Sequence, residues 1–108
     1  MLEHILSCEF DGASELRSQL DHTEVVAMWA PESVSVDLQV REPLRRAAMA
    51  SRLVPVDARV VDQVGEYIGE LLVWTDEGAT LAGLEYAWVT DQMPTCLPPV
   101  ERVKLTVG

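Results

Sequence analysis

Hydrophobic and polar residues alternate most regularly between positions 33 and 40 of this chain. The even-numbered positions are aliphatic and the odd-numbered positions are polar: Val34, Val36, Leu38 and Val40 alternate with Ser33, Ser35, Asp37 and Gln39. Successive side chains of a strand point to opposite faces, so this pattern predicts a strand with one buried face and one hydrated face. Such half-buried strands are typical of antiparallel sheets.

Other β-favouring segments predict the remainder of the sheet. The predicted strands cover residues 25–29, 33–40, 53–61, 67–75 and 79–89, and residues 100–107 are a candidate for a short edge strand. Between the fourth and fifth of these strands, Asp76-Glu77-Gly78 predicts a hairpin loop in which Gly78 supplies a positive φ. Gly83 is a candidate bulge or kink. The three prolines between residues 94 and 99 predict a tail that lies over the sheet.

Helical patterns are shorter. Asp11 is a candidate N-cap for a helix over residues 12–20, whose apolar stripe contains Ala13, Leu16 and Leu20. The Ala-rich stretch after Pro43 predicts a short helix within residues 42–51. The first ten residues fit either a helical turn or an extended lead-in.

These elements together predict an α+β fold. We expect an antiparallel meander of about five strands, with the N-terminal helix packed on one face of the sheet. No internal repeat or linker divides the chain, so residues 1–108 are expected to form a single domain.

Composition narrows the range of functions. The 108 residues are 48% hydrophobic and 24% charged, which is ordinary for a folded protein, and their formal net charge is −10. Nucleic acids and anionic membranes attract basic proteins, so neither is an expected partner. The acidity favours a basic protein surface or a cationic ligand, and solubility alone explains it equally well.

Half of the basic residues lie within twelve positions. They are Arg41, Arg45, Arg46 and Arg52. We interpret this segment as a source of local counter-charge for an acidic domain, with contact to an anion as the alternative.

Motifs for metal, nucleotide or nucleophilic chemistry are absent from the sequence. No C-x-x-C, H-E-x-x-H, P-loop or G-x-S-x-G pattern occurs, so no cofactor and no catalytic residue is predicted. Cys8 and Cys96 form no disulfide framework, and we expect both to be reduced. The residues after Met1 lack a basic, apolar leader, and the simplest expectation is a cytoplasmic protein.

Aromatic and acidic residues of the predicted hairpin are the candidate partner contacts. They are Tyr67, Glu70, Trp74 and Glu85. Glu70 shares its parity with Ile68, Leu72 and Trp74, which predicts a face that mixes charge with large apolar groups, as binding surfaces do. A position near a sheet edge would explain the same mixture. Tyr86 and Trp88 are expected in the core.

Several of these stretches resemble those of a class of small, acidic, uncharacterised bacterial proteins of about this length. The stretches are residues 33–38 and 69–74, Gly78, Leu81, residues 83–85 and the segment from Pro94 to Pro98. The resemblance implies a hairpin and tail, and no activity or functional residue. Compact acidic immunity proteins, which neutralise basic toxins, are similar in size and charge, which is a physical analogy only.

Two function classes follow from the sequence. The first is a non-enzymatic protein-binding module, immunity-like or self-associating, that uses a face or edge of its sheet. The second is a small ligand-binding protein or enzyme with a pocket between helix and sheet, using scattered carboxylates, His22 or Arg45.

Overall fold

A computed structural model describes residues 1–42 and 45–108 of the chain. The helices are α1 (Leu2–Ile5) and α2 (Ala13–Ser18), and 3₁₀ turns lie at Leu20–His22 and Val100–Arg102. The strands are β1 (Thr23–Met28), β2 (Val36–Val40), β3 (Val56–Val61), β4 (Tyr67–Asp76), β5 (Thr80–Trp88) and β6 (Val103–Val107). The α+β class is therefore confirmed, with more sheet and shorter helices than the sequence predicted.

The strands form one antiparallel sheet in the order β1-β2-β5-β4-β3-β6. The expected five-stranded meander is wrong in two respects. Consecutive strands are neighbours within β1–β2 and within β3–β4–β5, but β2 pairs with β5 and β6 adds to the outer side of β3. Alternation along a segment defines its two faces but not the strand that pairs with each edge, so sequence patterns could not fix this order.

One face of the sheet packs against the helices. Ile5 and Leu6 at the end of α1 and Leu16 of α2 are at most 1% exposed and belong to the same core cluster as Leu71 and Val73. Burying three such side chains supplies on the order of 5 kcal/mol of hydrophobic free energy. The helices therefore hold one face of the sheet by apolar packing.

Helix α2 is shorter than the predicted residues 12–20, and its cap differs. Gly12, with φ of +96°, occupies the N-cap position, and no side chain caps the helix. Glycine is favoured there because the left-handed region penalises a Cβ. The predicted Asp11 cap is wrong. The first ten residues do contain a helical turn, α1.

The connection between β2 and β3 crosses the end of the β4–β5 hairpin on the core side. Met49 N–H donates to Gly78 O at 3.2 Å, and Thr75 Oγ1 donates to Arg52 O at 2.8 Å. Gly78 has the predicted positive φ, +77°, and a Cβ at this position would collide with Met49 O. Residues 45–51, in the segment 42–51 that was predicted to contain a short helix, are not helical. Pro43 and Leu44 of the same segment lie outside the described residues.

Gln19 is the buried polar group that joins these parts, and it is 1% exposed. Its Nε2 donates to Arg45 O at 2.8 Å and to Ala79 O at 2.9 Å. Its Oε1 accepts a hydrogen bond from Leu81 N–H at 3.0 Å. One amide thus connects the end of α2 to the β2–β3 connection and to the β4–β5 hairpin, with both amide protons and the oxygen satisfied.

The β1–β2 hairpin meets the rest of the sheet along a short seam. Residue pairing between β2 and β5 consists of Val36 with Leu84 and Asp37 with Gly83. Beyond it, Tyr86 N–H donates to the buried Ser35 Oγ at 2.9 Å. A side-chain acceptor therefore continues the ladder where the backbone of β2 does not.

We predict that Gln19→Ala lowers the free energy of unfolding by about 3 kcal/mol, because Leu81 N–H and Arg45 O lose the Gln19 amide as a partner and Ala79 O keeps Ala47 N–H alone. Urea unfolding followed by circular dichroism measures this loss. Gln63→Ala, at an exposed position in the β3–β4 turn, is the matched control and should change the value by less than about 0.5 kcal/mol. Equal stability of the two variants would contradict the role given to Gln19.

Candidate protein-binding surface

The face of the sheet opposite the helices carries the four residues that the sequence singled out as partner contacts. Arg59 on β3 lies across from Glu70 on β4, and its guanidinium stacks 4.8 Å from the centre of the Tyr67 ring. Tyr67 is 40% exposed. Its position on this face follows from an irregularity of register between Val60 and Val61, which brings Tyr67 opposite Val61.

Trp74 and Glu85 form the second half of this face. Trp74 Nε1 donates to Glu85 Oε1 at 3.0 Å. Glu85 pairs with Leu72 across the β4–β5 hairpin, so the carboxylate lies between two large apolar side chains. The structure therefore brings the four predicted residues together as two neighbouring groups, Tyr67 with Glu70 and Trp74 with Glu85.

Trp29 extends this face, and the sequence analysis missed it. Trp29 follows β1, and its Cζ2 lies 3.8 Å from the position that a Cβ of Gly83 would take. Trp74 Cβ lies 3.7 Å from the same point. Gly83 thus leaves room for two tryptophans to approach each other. The lone glycine within a β-favouring run was the available signal, and we interpreted it only as a bulge or kink.

Strand β1 forms one edge of the sheet and is exposed along most of its length. Exposure reaches 60% for Val25, 50% for Val26, 57% for Met28 and 47% for Trp29. The strand contains one charged residue, Glu24, and Arg41 lies 3.7 Å from its carboxylate. Trp29, directly after β1, lies beside Trp74 at Gly83 and so joins the β1 edge to the opposite face as one surface. We call it the β1 surface, comprising Val25, Val26, Met28, Trp29, Trp74 and Glu85.

The arginine-rich segment does not gather into one site. Arg41 pairs with Glu24, and Arg45 donates to Glu15 at 2.9 Å. Arg46 lies near Arg45 beside α2, and the exposed Arg52 lies at the hairpin end of the sheet, where its carbonyl accepts from Thr75. Two of the four charges thus meet carboxylates of the same chain, as expected for local counter-charges.

A cavity of about 390 Å³ opens beside β1, between α1 and the core face of β2. Its lining is largely aliphatic and includes Leu2, Val25, Val34 and Leu97, with Glu3 and Glu24 among the polar contributors. His22 and Arg45, the sequence-based candidates for a pocket between helix and sheet, do not line it.

The tail after β5 returns over the core face near Tyr86. Tyr86 is 4% exposed, and a Cβ on Gly69 would lie 2.8 Å from Cε1 of its ring. Burial raises the pKa of the Tyr86 phenol, and the nearby Cys96 thiolate raises it further. Trp88, also expected in the core, is 39% exposed at the end of β5.

Other kinds of site receive no support from the described residues. Within residues 1–42 and 45–108, no group of three histidine, cysteine or acidic side chains is placed to hold a metal ion. In the same part of the chain, no helix has the length and apolar character to cross a bilayer.

Comparison with known proteins identifies no relative. No family model, curated protein or solved structure matches the chain.

We predict that alkaline pH destabilises the fold through Tyr86. Its pKa is raised in the folded state, so the unfolded chain releases this proton first, and the free energy of unfolding falls as pH rises past about 10. Urea unfolding at pH 8 and pH 11 measures the fall, which should be smaller in Tyr86→Phe. Tyr67→Phe, at an exposed ring, should keep the wild-type fall. The same fall in Tyr86→Phe as in wild type would refute the assignment.

Proposed function

We propose that this chain is a non-enzymatic protein-binding module that engages its partner through the β1 surface. The observation that carries this proposal is the exposure of three large apolar residues of an edge strand, Val25, Val26 and Met28, and of Trp29 directly after it. Folded proteins normally protect such edges with charge, proline, a bulge or a covering element, because an open edge pairs with other chains. β1 has one charged side chain, which Arg41 offsets, and its bulge at Val26 leaves the pairing from Thr23 to Val25 regular.

The adjoining face supports the same function. Tryptophan and tyrosine dominate the energetics of protein interfaces because each buries a large area and loses little conformational entropy. Trp29 and Trp74 lie together over Gly83, and Glu85 holds the Trp74 indole by a hydrogen bond. This arrangement fixes an aromatic group in advance of binding, which lowers the entropic cost of association.

Charge favours a basic partner. The formal net charge of −10 would accelerate encounter with a positively charged protein and oppose association of two copies. An immunity-like role, in which an acidic protein neutralises a basic one, fits this chemistry. Self-association through β1 is the alternative within the same function class.

The cavity beside β1 favours a second candidate function, the binding of a small apolar ligand. Its volume of about 390 Å³ is within the range of ligand sites. The residues proposed from the sequence for a reaction, His22 and Arg45, lie outside its lining. The cavity therefore supports binding more than catalysis.

We predict that Val26→Lys removes partner binding. A charge at the centre of the exposed edge disfavours strand addition. The full chain is used as bait in an extract of its native host, and sedimentation velocity measures self-association. A partner protein or a second copy should be lost in Val26→Lys.

Val64→Lys is the matched control, because Val64 is 79% exposed in the turn between β3 and β4, away from β1. This variant should bind as wild type does. Equal partner recovery and equal sedimentation for the two lysine variants would reject the β1 surface as the binding site.

A further inference from the structure

The hydrogen bonds of β1 show which backbone groups point out of the sheet. Arg41 N–H donates to His22 O at 2.8 Å, so residues 22 and 41 form a hydrogen-bonded pair of the β1–β2 ladder. Hydrogen-bonded and non-hydrogen-bonded pairs alternate along an antiparallel ladder. The backbone N–H and C=O of Glu24 therefore point towards β2, and those of Val25 point away from β2, to the open edge of the sheet. Thr23 N–H donates to Leu20 O, and the C=O of Thr23 points to the open edge of the sheet.

The irregularity of β1 limits where a partner strand can pair. Val25 pairs with Leu38 and Ala27 pairs with Asp37, so Val26 is an extra residue that bends the strand. A regular partner strand therefore aligns beside Thr23–Val25, the half of β1 before the bulge.

The cavity lies against this same half of β1. Thr23, Glu24 and Val25 contribute to its lining, together with aliphatic residues of α1, β2 and the tail. Val25 pairs with the buried Leu38, which places the Val25 side chain on the cavity side of the sheet. A peptide strand added here would direct alternate side chains towards the cavity, the arrangement in which backbone pairing gives affinity and a pocket gives specificity.

Charge selects the occupant. Glu3 is exposed and lines the cavity, and the chain as a whole carries ten excess negative charges. A second copy would carry the same ten excess negative charges, whereas a basic segment would be attracted to them. The bulge also prevents two copies of β1 from pairing along their full length.

We propose that the first half of β1 accepts an extended segment of a basic partner protein by strand addition, with one apolar side chain of the segment inserted into the cavity. This inference rests on the proposed function and specifies the chemistry of the partner. The proposed segment alternates basic and apolar residues. Its basic residues contact the acidic surface, and its apolar residues face the aliphatic cavity.

An alternating heptapeptide tests this inference: acetyl-Lys-Leu-Lys-Leu-Lys-Leu-Lys-amide, titrated into the full-length protein by calorimetry. Val25→Pro removes the outward N–H while sparing the bonds to β2, and should weaken binding at least tenfold. Val107→Pro is the matched control, because Gly108 N–H donates to Pro55 O and the same alternation directs Val107 N–H outwards from β6. That variant should bind the peptide as wild type does.

Changes to the peptide test the same contacts with wild-type protein, so the result does not depend on folding of a variant. Replacing each lysine by glutamate should abolish binding, and replacing the leucines by alanine should weaken it. Methylation of alternate backbone nitrogens should also weaken it, since it removes donors to Thr23 O and Val25 O. Glu3→Lys should reduce affinity more than Glu66→Lys, an equal charge change at an exposed turn.

Three results would overturn the inference: equal affinity for the lysine and glutamate peptides, undiminished binding by Val25→Pro, or no binding by wild type. If wild type binds no peptide but self-associates in a manner that Val26→Lys abolishes, the occupant of β1 is a second copy. In that case the proposed function stands and this inference falls. If Val26→Lys changes no association, the proposed function itself fails.

Discussion

The amide of Gln19 is the contact on which the arrangement of this fold depends. It lies where the end of α2, the β2–β3 connection and the β4–β5 hairpin converge, and it hydrogen bonds to all three. A hydroxyl or a carboxylate could not supply two donors and one acceptor in this geometry. Leu16, one turn earlier on α2, is buried in the core cluster.

Because both helices pack against one face of the sheet, the molecule has two unlike sides. On the covered side, aliphatic packing dominates, and polar groups such as Gln19, Ser35 and Thr75 are hydrogen bonded. On the other side, aromatic rings are paired with charges, as in Arg59 with Tyr67 and Glu85 with Trp74. The second side resembles an interface in composition, because protein interfaces are enriched in aromatic residues and arginine.

Local patterns predicted the strands well where one face is buried and the other is hydrated. The alternation from residue 36 to residue 40 places Leu38 inside and exposes Asp37 and Gln39, and the loop at Gly78 has the predicted backbone. Patterns failed where long-range contacts decide. Nothing near Gln19 in the sequence shows that its side chain is buried, because its partners are 26 to 62 residues away.

The candidate surface shows the same division between local and distant information. Glu70 and Trp74 share a parity on one strand, so the local pattern alone predicted a common face for them, whereas Tyr67 joins that face through the register irregularity at Val60 and Val61. Trp29 reaches that face from the β1–β2 hairpin, across a strand pairing that the sequence did not predict. The exposure of Val25 and Val26 also depends on strand order, since an apolar segment is ordinary in a central strand and unusual at an edge.

The short seam between β2 and β5 has the fewest residue pairs of any strand pairing in this sheet. Segments held by few backbone pairs open at lower free energy than the sheet around them, and this seam has two residue pairs and the Ser35 contact. Trp29 lies on one side of that line and Trp74 on the other. Opening at the seam would separate the two tryptophans, so their proximity depends on the line of the sheet with the fewest backbone pairs.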